Sequence, residues 1–169
     1  KWMERLNLAH SINKSAADFR IAEYLHVSSK LESEKKIIDN QIASINEKIN
    51  SDLQAYENLM NEGESKELLE AIKVNIKQAN DIYSRIKTHS LEGNVTEAEY
   101  IFSMDAKINY QILDDRLIEL VEYNQNEARA SRDEANKLFK YSAIILILVI
   151  LLSLIITIIA SIIIILSIT

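Results

Sequence analysis

The chain has 169 residues, carries 19 Lys and Arg against 25 Asp and Glu for a formal net charge of -6, and contains no cysteine, no proline and two glycines. The missing thiols exclude a thiolate metal site, a disulfide scaffold and a cysteine nucleophile, and the acidic balance argues against a nucleic-acid surface, which needs clustered basic groups. The length leaves room for about one domain plus a membrane element, and the near absence of Gly and Pro, the ordinary breakers, is a helix signature.

The first predicted helix runs from the start to about residue 28, with an apolar stripe of Leu6, Ala9, Ile12, Ala16 and Phe19. Asn13, Arg20 and Glu23 interrupt or flank that stripe. Small residues allow close approach, and polar ones beside a seam set register or line a wet interface. That fits a contact between subunits through the first and fourth helices. The segment "SSKLES" (Ser28 to Ser33) then offers serine caps.

The second helix has the clearest stripe: Ile38, Ile42, Ile45, Ile49, Leu53, Tyr56 and Met60 step by three and four throughout. "NEGES" follows, where Gly63 suits a helix stop and Ser65 a cap for the third helix. The third stripe is Leu69, Ile72, Ile76, Ala79, Tyr83 and Ile86. "SLEGNVTEAE" holds Gly93 and Asn94, then Thr96 with Glu99 three residues on, a capping box to open the fourth helix. The fourth stripe reads Ile101/Phe102, Ala106, Leu113, Leu117 and Leu120, then Ala128, Ser131, Ala135 and Leu138. Narrow stripes joined by short loops predict an all-α, antiparallel up-down-up-down four-helix bundle, with its fourth helix continuous with a transmembrane helix.

From Ser142 to Thr169 there is no charged residue. About 27 residues at 1.5 Å each give roughly 40 Å, against about 30 Å of hydrocarbon. Ser153, Thr157 and Ser161 are compatible with lipid because their hydroxyls can bond carbonyls one turn back. Position and length exclude a signal peptide. The expected division is 1–140 for the bundle and 141–169 for the span. No Gly or Pro marks the junction, so a shift in the bundle would reach the span undamped. Arg129, Arg132, Lys137 and Lys140 precede the span, and a positive-inside count on these residues alone would put the bundle in the cytoplasm. The fourth helix exceeds the first by roughly 17 residues, or ~25 Å, so the chain is expected to begin in mid-helix, after another span.

Three stretches carry a family likeness. "INKSAADFRIAEYLHVSS" has an Asn, an Arg and an aromatic-x-His at helical spacing; "LEGNVTEAEYIF" has a Gly-x-x-x-x-Ala joint; "LDDRLIELVEYNQNEARASRDEANK" has a Leu-x-x-Leu run followed by an Ala-rich stalk. In this order they resemble the four-helix-bundle ligand-binding domain of bacterial methyl-accepting chemotaxis receptors. The resemblance implies a homodimer in the bacterial inner (plasma) membrane, its bundle extracytoplasmic, binding a small molecule such as an amino or organic acid. It overrules the charge count on orientation. The same input bundle occurs on sensor histidine kinases and on cyclic-nucleotide or cyclic-dinucleotide enzymes, so the output module stays open. A rival reading is a structural or adaptor membrane bundle without a soluble ligand.

Enzyme constellations are absent: His10, His26 and His89 fall on different stretches, and no phosphate-binding glycine loop occurs. No catalytic residue, metal site or cofactor is expected, and the partners expected are a second copy, a small ligand and membrane lipid, with no nucleic acid. Asp114/Asp115 and Asp133/Glu134 are expected to be solvated, and His26 to be a polar end-of-helix residue. The resemblance implies that Arg20 holds a ligand carboxylate, for which a planar guanidinium offers two parallel hydrogen bonds. Antiparallel alignment puts Ser103 near it, with Asn109 and Asn13 further down and Tyr24 one turn above. The bland alternative is an ion pair from Arg20 to Glu23 or to an acid on a neighbouring helix, and Tyr24 serves equally as packing. Arg20 stands alone, with only Lys14 nearby, which counts against an aspartate-type ligand. The Ala128, Ser131, Ala135 step permits either slight helix sliding or tight static packing.

Overall fold

A computed structural model describes residues 2–60 and 66–168; Gly63 and Ser65, expected to stop and cap helices, lie outside them. Every described element is helical. They are α1 (Trp2–Ser28), α2 (Glu32–Leu59), α3 (Lys66–Leu91), α4 (Val95–Ile101), a π-helical turn (Phe102–Ala106) and α5 (Lys107–Ile168).

Two compact units divide the chain, Lys1–Asn126 and Glu127–Thr169. In the first, side-chain bonds show four antiparallel neighbours in a closed ring. Ser11 on α1 donates to Asp52 on α2, Asn46 on α2 to Asn80 on α3, Asn75 on α3 to Asn109 on α5, and Tyr110 on α5 back to Glu23 on α1. Along each adjoining pair, partner numbers rise on one helix as they fall on the other, which defines up-down-up-down order.

The apolar stripes form the core. One cluster joins Ala9, Ile12 and Ala16 to Ile49, Leu53, Tyr56, Leu69, Ile72, Ile76, Leu113, Leu117 and Leu120. The other joins Phe19, Ala22 and Val27 to Ile42, Ala79, Tyr83, Ile86, Ala98, Ile101, Ala106 and Tyr110. Ile38, Ile45 and Met60 pack at the margins, so the second-helix stripe is a core face along its length. Alongside the first cluster on α3 and α5, Asn109 donates to the Asn75 carbonyl at 3.1 Å, while Arg116 donates to the Asn75 side chain and, at 2.8 Å, to the Ala71 carbonyl. This lock satisfies polar groups that burial would otherwise penalise.

The expected caps differ. Helix α2 starts at Glu32 with Leu31 as its N-cap and no side-chain cap. Ser33 therefore sits inside the first turn, and Ser29 spends its hydroxyl on the Glu34 carboxylate, 2.5 Å away. Helix α4 starts at Val95 with Asn94 at the N-cap, again without a side-chain cap, so Thr96 already lies within the helix and the capping box does not form. The end of α3 carries the stronger signal. Gly93 has φ +79°, and Asn94 N–H reaches back to the His89 carbonyl at 2.8 Å, the six-to-one bond of a Schellman stop.

The fourth rod is not uniform. At its π turn the Lys107 N–H reaches the Phe102 carbonyl, five residues back, and the core stripe steps by five from Ile101 to Ala106. An extra residue is thus accommodated without turning the apolar stripe out of the core.

In the second unit the helix continues without a break through Phe139–Ser142. Ser131, Ala135 and Leu138 are exposed and Ala128 is half-buried. Ser153, Thr157 and Ser161 each donate at 2.8 Å to a carbonyl three or four residues earlier, so their hydroxyls carry no unmet need. Among the described residues one helical run, Val95–Leu166, is long and apolar enough to cross a membrane, with a window of mean hydropathy 3.4 of which none is buried.

A Cβ at Gly93 would meet no atom within 4 Å, so any penalty there is purely conformational. Gly93→Ala should cost about 1 kcal/mol by chemical denaturation, and Gly93→Asn clearly less, because Asn tolerates a left-handed backbone. Equal losses for both would place the strain elsewhere.

Candidate functional site, a cationic groove over a buried carboxyl

Helix α1 and the rod containing the π turn enclose a groove of about 380 Å³ lined by Arg20, Phe102, Ser103, Lys107, Tyr110 and Gln111. The antiparallel register brings Arg20 and Ser103 to it, as their positions along the two helices require. Arg20 donates to Asp114 on α5 at 3.2 Å, and its guanidinium lies 5.6 Å from the centre of the Tyr110 ring. Both members of the ion pair are close to half exposed (45% and 44%), so water screens it and its worth is about 0–1 kcal/mol. Asp114 is therefore paired rather than simply solvated, and Arg20 finds its acid on α5 rather than in Glu23. Lys107 has no bonded partner among the described residues, which leaves it the uncommitted cation of the groove.

The other sequence candidates divide. Tyr24 meets Phe102, which lines the groove, in a tilted ring contact at 5.8 Å. Asn109 is buried and turned to Asn75 on α3, and it lines a different concavity with Arg85, Asp105 and Ile108. Asn13 is half-buried on α1, about two turns before Arg20. Lys107 and Gln111 were missed because an amphipathic stripe reports only its apolar face, and Tyr110 because the five-residue step at the π turn shifts the register of the stripe. The five-residue step at the π turn was the available signal for the groove wall.

Beneath the groove lies a polar core. Glu23 is fully buried. It accepts a 2.5 Å hydrogen bond from the Tyr110 hydroxyl through Oε2, while Oε1 has no partner among the described residues. Burial pushes its carboxyl up to about 7, only partly offset by the bond from Tyr110. Burial also raises the Tyr110 phenol, and the neighbouring Glu23 carboxyl adds to the effect.

Further toward the α3–α4 loop, His26 stands in the last turn of α1, as expected, and is fully buried there. Its Nε2 lies 3.2 Å from Asp39 without hydrogen-bond alignment, and its ring meets Tyr83 edge-on at 5.6 Å. Asp39 takes a bond from the Tyr83 hydroxyl and one from Lys87 at 2.8 Å. Burial alone would raise the Asp39 carboxyl, but the bonds from Lys87 and Tyr83 outweigh it and hold it below its ordinary value. Lys35 is buried too, donating at 2.7 Å to both the carbonyl and the hydroxyl of Ser90.

Residues 1–139 match the family described as the four helix bundle sensory module for signal transduction. The chain belongs to that family. No curated protein matches it. Modules of this kind receive signals rather than catalyse, and among the described residues no cluster of three or more His, Asp or Glu is placed to hold a metal. In this sensory module the groove offers cations, aromatic faces and an amide for binding, and no nucleophile paired to a base.

Burial lowers the affinity of His26 for a proton, with Asp39 opposing and Lys35 and Lys87 adding to the effect. The unfolded chain takes up that proton below the ordinary 6.5, so the stability owed to neutral His26 falls as pH drops from there towards its folded value. The melting temperature of wild type relative to His26→Gln should decline over that range; a pH-independent difference would contradict the assignment.

Proposed function

We propose that the module is the extracytoplasmic input domain of a transmembrane receptor of the chemotaxis type, working as a homodimer. It binds a small amino or organic acid in the groove and passes a helix displacement across the membrane. The observation that carries this reading is the groove itself, in a family of sensory modules. Its two cations differ in commitment, Arg20 being held loosely by Asp114 and Lys107 being uncommitted. A ligand carboxylate would engage Lys107 and compete with Asp114 for Arg20, while Asp114 offers a place for an ammonium group. Phe102 and Tyr110 supply apolar contact, and Ser103 and Gln111 supply hydrogen bonds.

A ligand shifts a conformational equilibrium only by its differential affinity for the two states. The groove spans α1 and α5, so a ligand that draws its two walls together favours one packing of that pair. The unbroken helical bonding of α5 from Lys107 to Ile168 supports transmission, because neither Gly nor Pro is present in it to absorb the change. The length and hydropathy of its apolar part support the crossing.

Two measurements test this reading. The full chain in detergent, screened by thermal shift against amino acids and small mono- and dicarboxylates, should be stabilised by a subset of them. Arg20→Ala and Lys107→Ala should each weaken that ligand roughly tenfold to a hundredfold, the worth of one charge-assisted hydrogen bond. A stabilising ligand indifferent to both substitutions would clear the groove of the role. Because the chain has no cysteine, a single Cys at Asn94 in the α3–α4 loop reports orientation. It should react with a membrane-impermeant maleimide in intact spheroplasts, and protection until lysis would reverse the topology.

A further inference from the structure

The Glu23 carboxyl sits among groups that leave its charge no counterpart. From its own helix, Arg20 lies one turn before it and His26 nearly one turn after. Across the bundle, Tyr83 on α3 and Tyr110 on α5 are the titratable groups facing it. Beyond these stand Asp114 on α5 and Asp39 on α2. The cations nearby are engaged elsewhere, Arg20 with Asp114, Lys87 with Asp39 and Lys35 with Ser90, except Lys107, which is exposed along the groove one turn before Tyr110 and makes no bond to Glu23. Phe19, Ala22, Val27 and Ile101 belong to the same apolar cluster as both tyrosines. An ionised Glu23 would therefore hold a charged oxygen, Oε1, in an apolar core without a single donor among the described residues.

We propose that Glu23 is a proton-binding site, and that its charge state selects between two packings of α1 against α5, giving the module a second input that reads the acidity of its surroundings. With the proton on, the carboxyl is neutral, Tyr110 bonds it, and the core closes over it as observed. With the proton off, the carboxylate needs a donor or water. The cation on the same helix face, one turn earlier, is Arg20, whose guanidinium lies over the Tyr110 ring. Turning Arg20 to Glu23, one turn along its own helix, breaks its bond to Asp114 and its contact with the Tyr110 ring, both on α5, and so frees α1 to move against α5. That movement lies in the helix pair that lines the groove, yet it needs no groove ligand, so a module that binds nothing there would still titrate.

The rise of this carboxyl to about 7 puts the transition near neutrality. Because the folded group holds its proton more tightly than the unfolded one, its contribution to stability is full below the ordinary 4.5 and is lost as pH rises through about 7. His26 acts in the opposite direction over part of that range, so the measurement must compare variants that all keep His26.

The test uses the full chain in lipid nanodiscs. Infrared difference spectra of wild type should show one protonated carboxyl losing its carbonyl stretch as pH passes through about 7, and Glu23→Gln should lack that transition. Spin labels on the exposed faces of α1 and α5 should report a distance change over the same interval in wild type and none in Glu23→Gln. The melting temperature of wild type relative to Glu23→Gln should fall as pH rises between about 5 and 8. Tyr110→Phe removes the one bond that favours the charged form while keeping the ring, so its midpoint should move upward. That variant decides the matter if Glu23→Gln fails to fold. A carboxyl already ionised at about pH 5, a transition retained in Glu23→Gln, or an unmoved midpoint in Tyr110→Phe would each overturn the proposal.

Discussion

Four helices, each with one narrow apolar stripe, can satisfy that stripe only by turning it towards three partners at once, and nearly everything else in the bundle follows from this geometry. The stripes of α2 and α3 are continuous, so they simply fill the core. The stripe of α1 is broken by Glu23 and bordered by Arg20 and His26, and the same packing that buries Phe19 and Val27 carries Glu23 and His26 inside with them. Polar groups buried in this way must find partners or lose their charge. Asp39 meets the first requirement through Tyr83 and Lys87, burial drives His26 towards its neutral form, and Glu23 has only Tyr110.

The π turn has a comparable role on the opposite wall. A regular α-helix from Val95 would turn the later stripe progressively away from the core, because the step from Ile101 to Ala106 exceeds a helical turn. One wide turn absorbs the extra residue and keeps Ala98, Ile101, Ala106 and Tyr110 facing inward. It also leaves Phe102, Ser103 and Lys107 along the groove. A departure from regular hydrogen bonding at a ligand-sized concavity is a common association in helical proteins, and here its cause is legible in the spacing of the apolar residues.

Groove and carboxyl share Tyr110, whose ring faces Arg20 and whose hydroxyl bonds Glu23. Anything that moves this side chain alters both. Two inputs acting on one helix pair would be coupled in free energy, and such coupling is reciprocal: a ligand that fixes Arg20 would change how readily Glu23 gives up its proton, and the proton would change ligand affinity by the same factor. The polar lock of Asn75, Asn109 and Arg116 holds α3 to α5 independently of the Arg20, Tyr110 and Glu23 contacts between α1 and α5.

Helix number, antiparallel order, the core faces of α2 and α3 and the apolar character of the final segment were all legible in the sequence, because they depend on period and on the rarity of breakers. Those are local properties, written within a few turns of chain. The proximity of Arg20 to Ser103 was legible too, since counting along two antiparallel helices fixes which turns are level. The caps at Leu31 and Asn94 were not, because side chains that could cap compete with a backbone that closes its own turns. Nor was the direction in which a polar residue at the edge of a stripe would point. Asn109 faces Asn75, Asp114 faces Arg20, and Glu23 and His26 face inward, each decided by how far one helix is rotated against its neighbours. That rotation is a property of the packed assembly, set by the sum of four stripes, and no single stretch of sequence contains it.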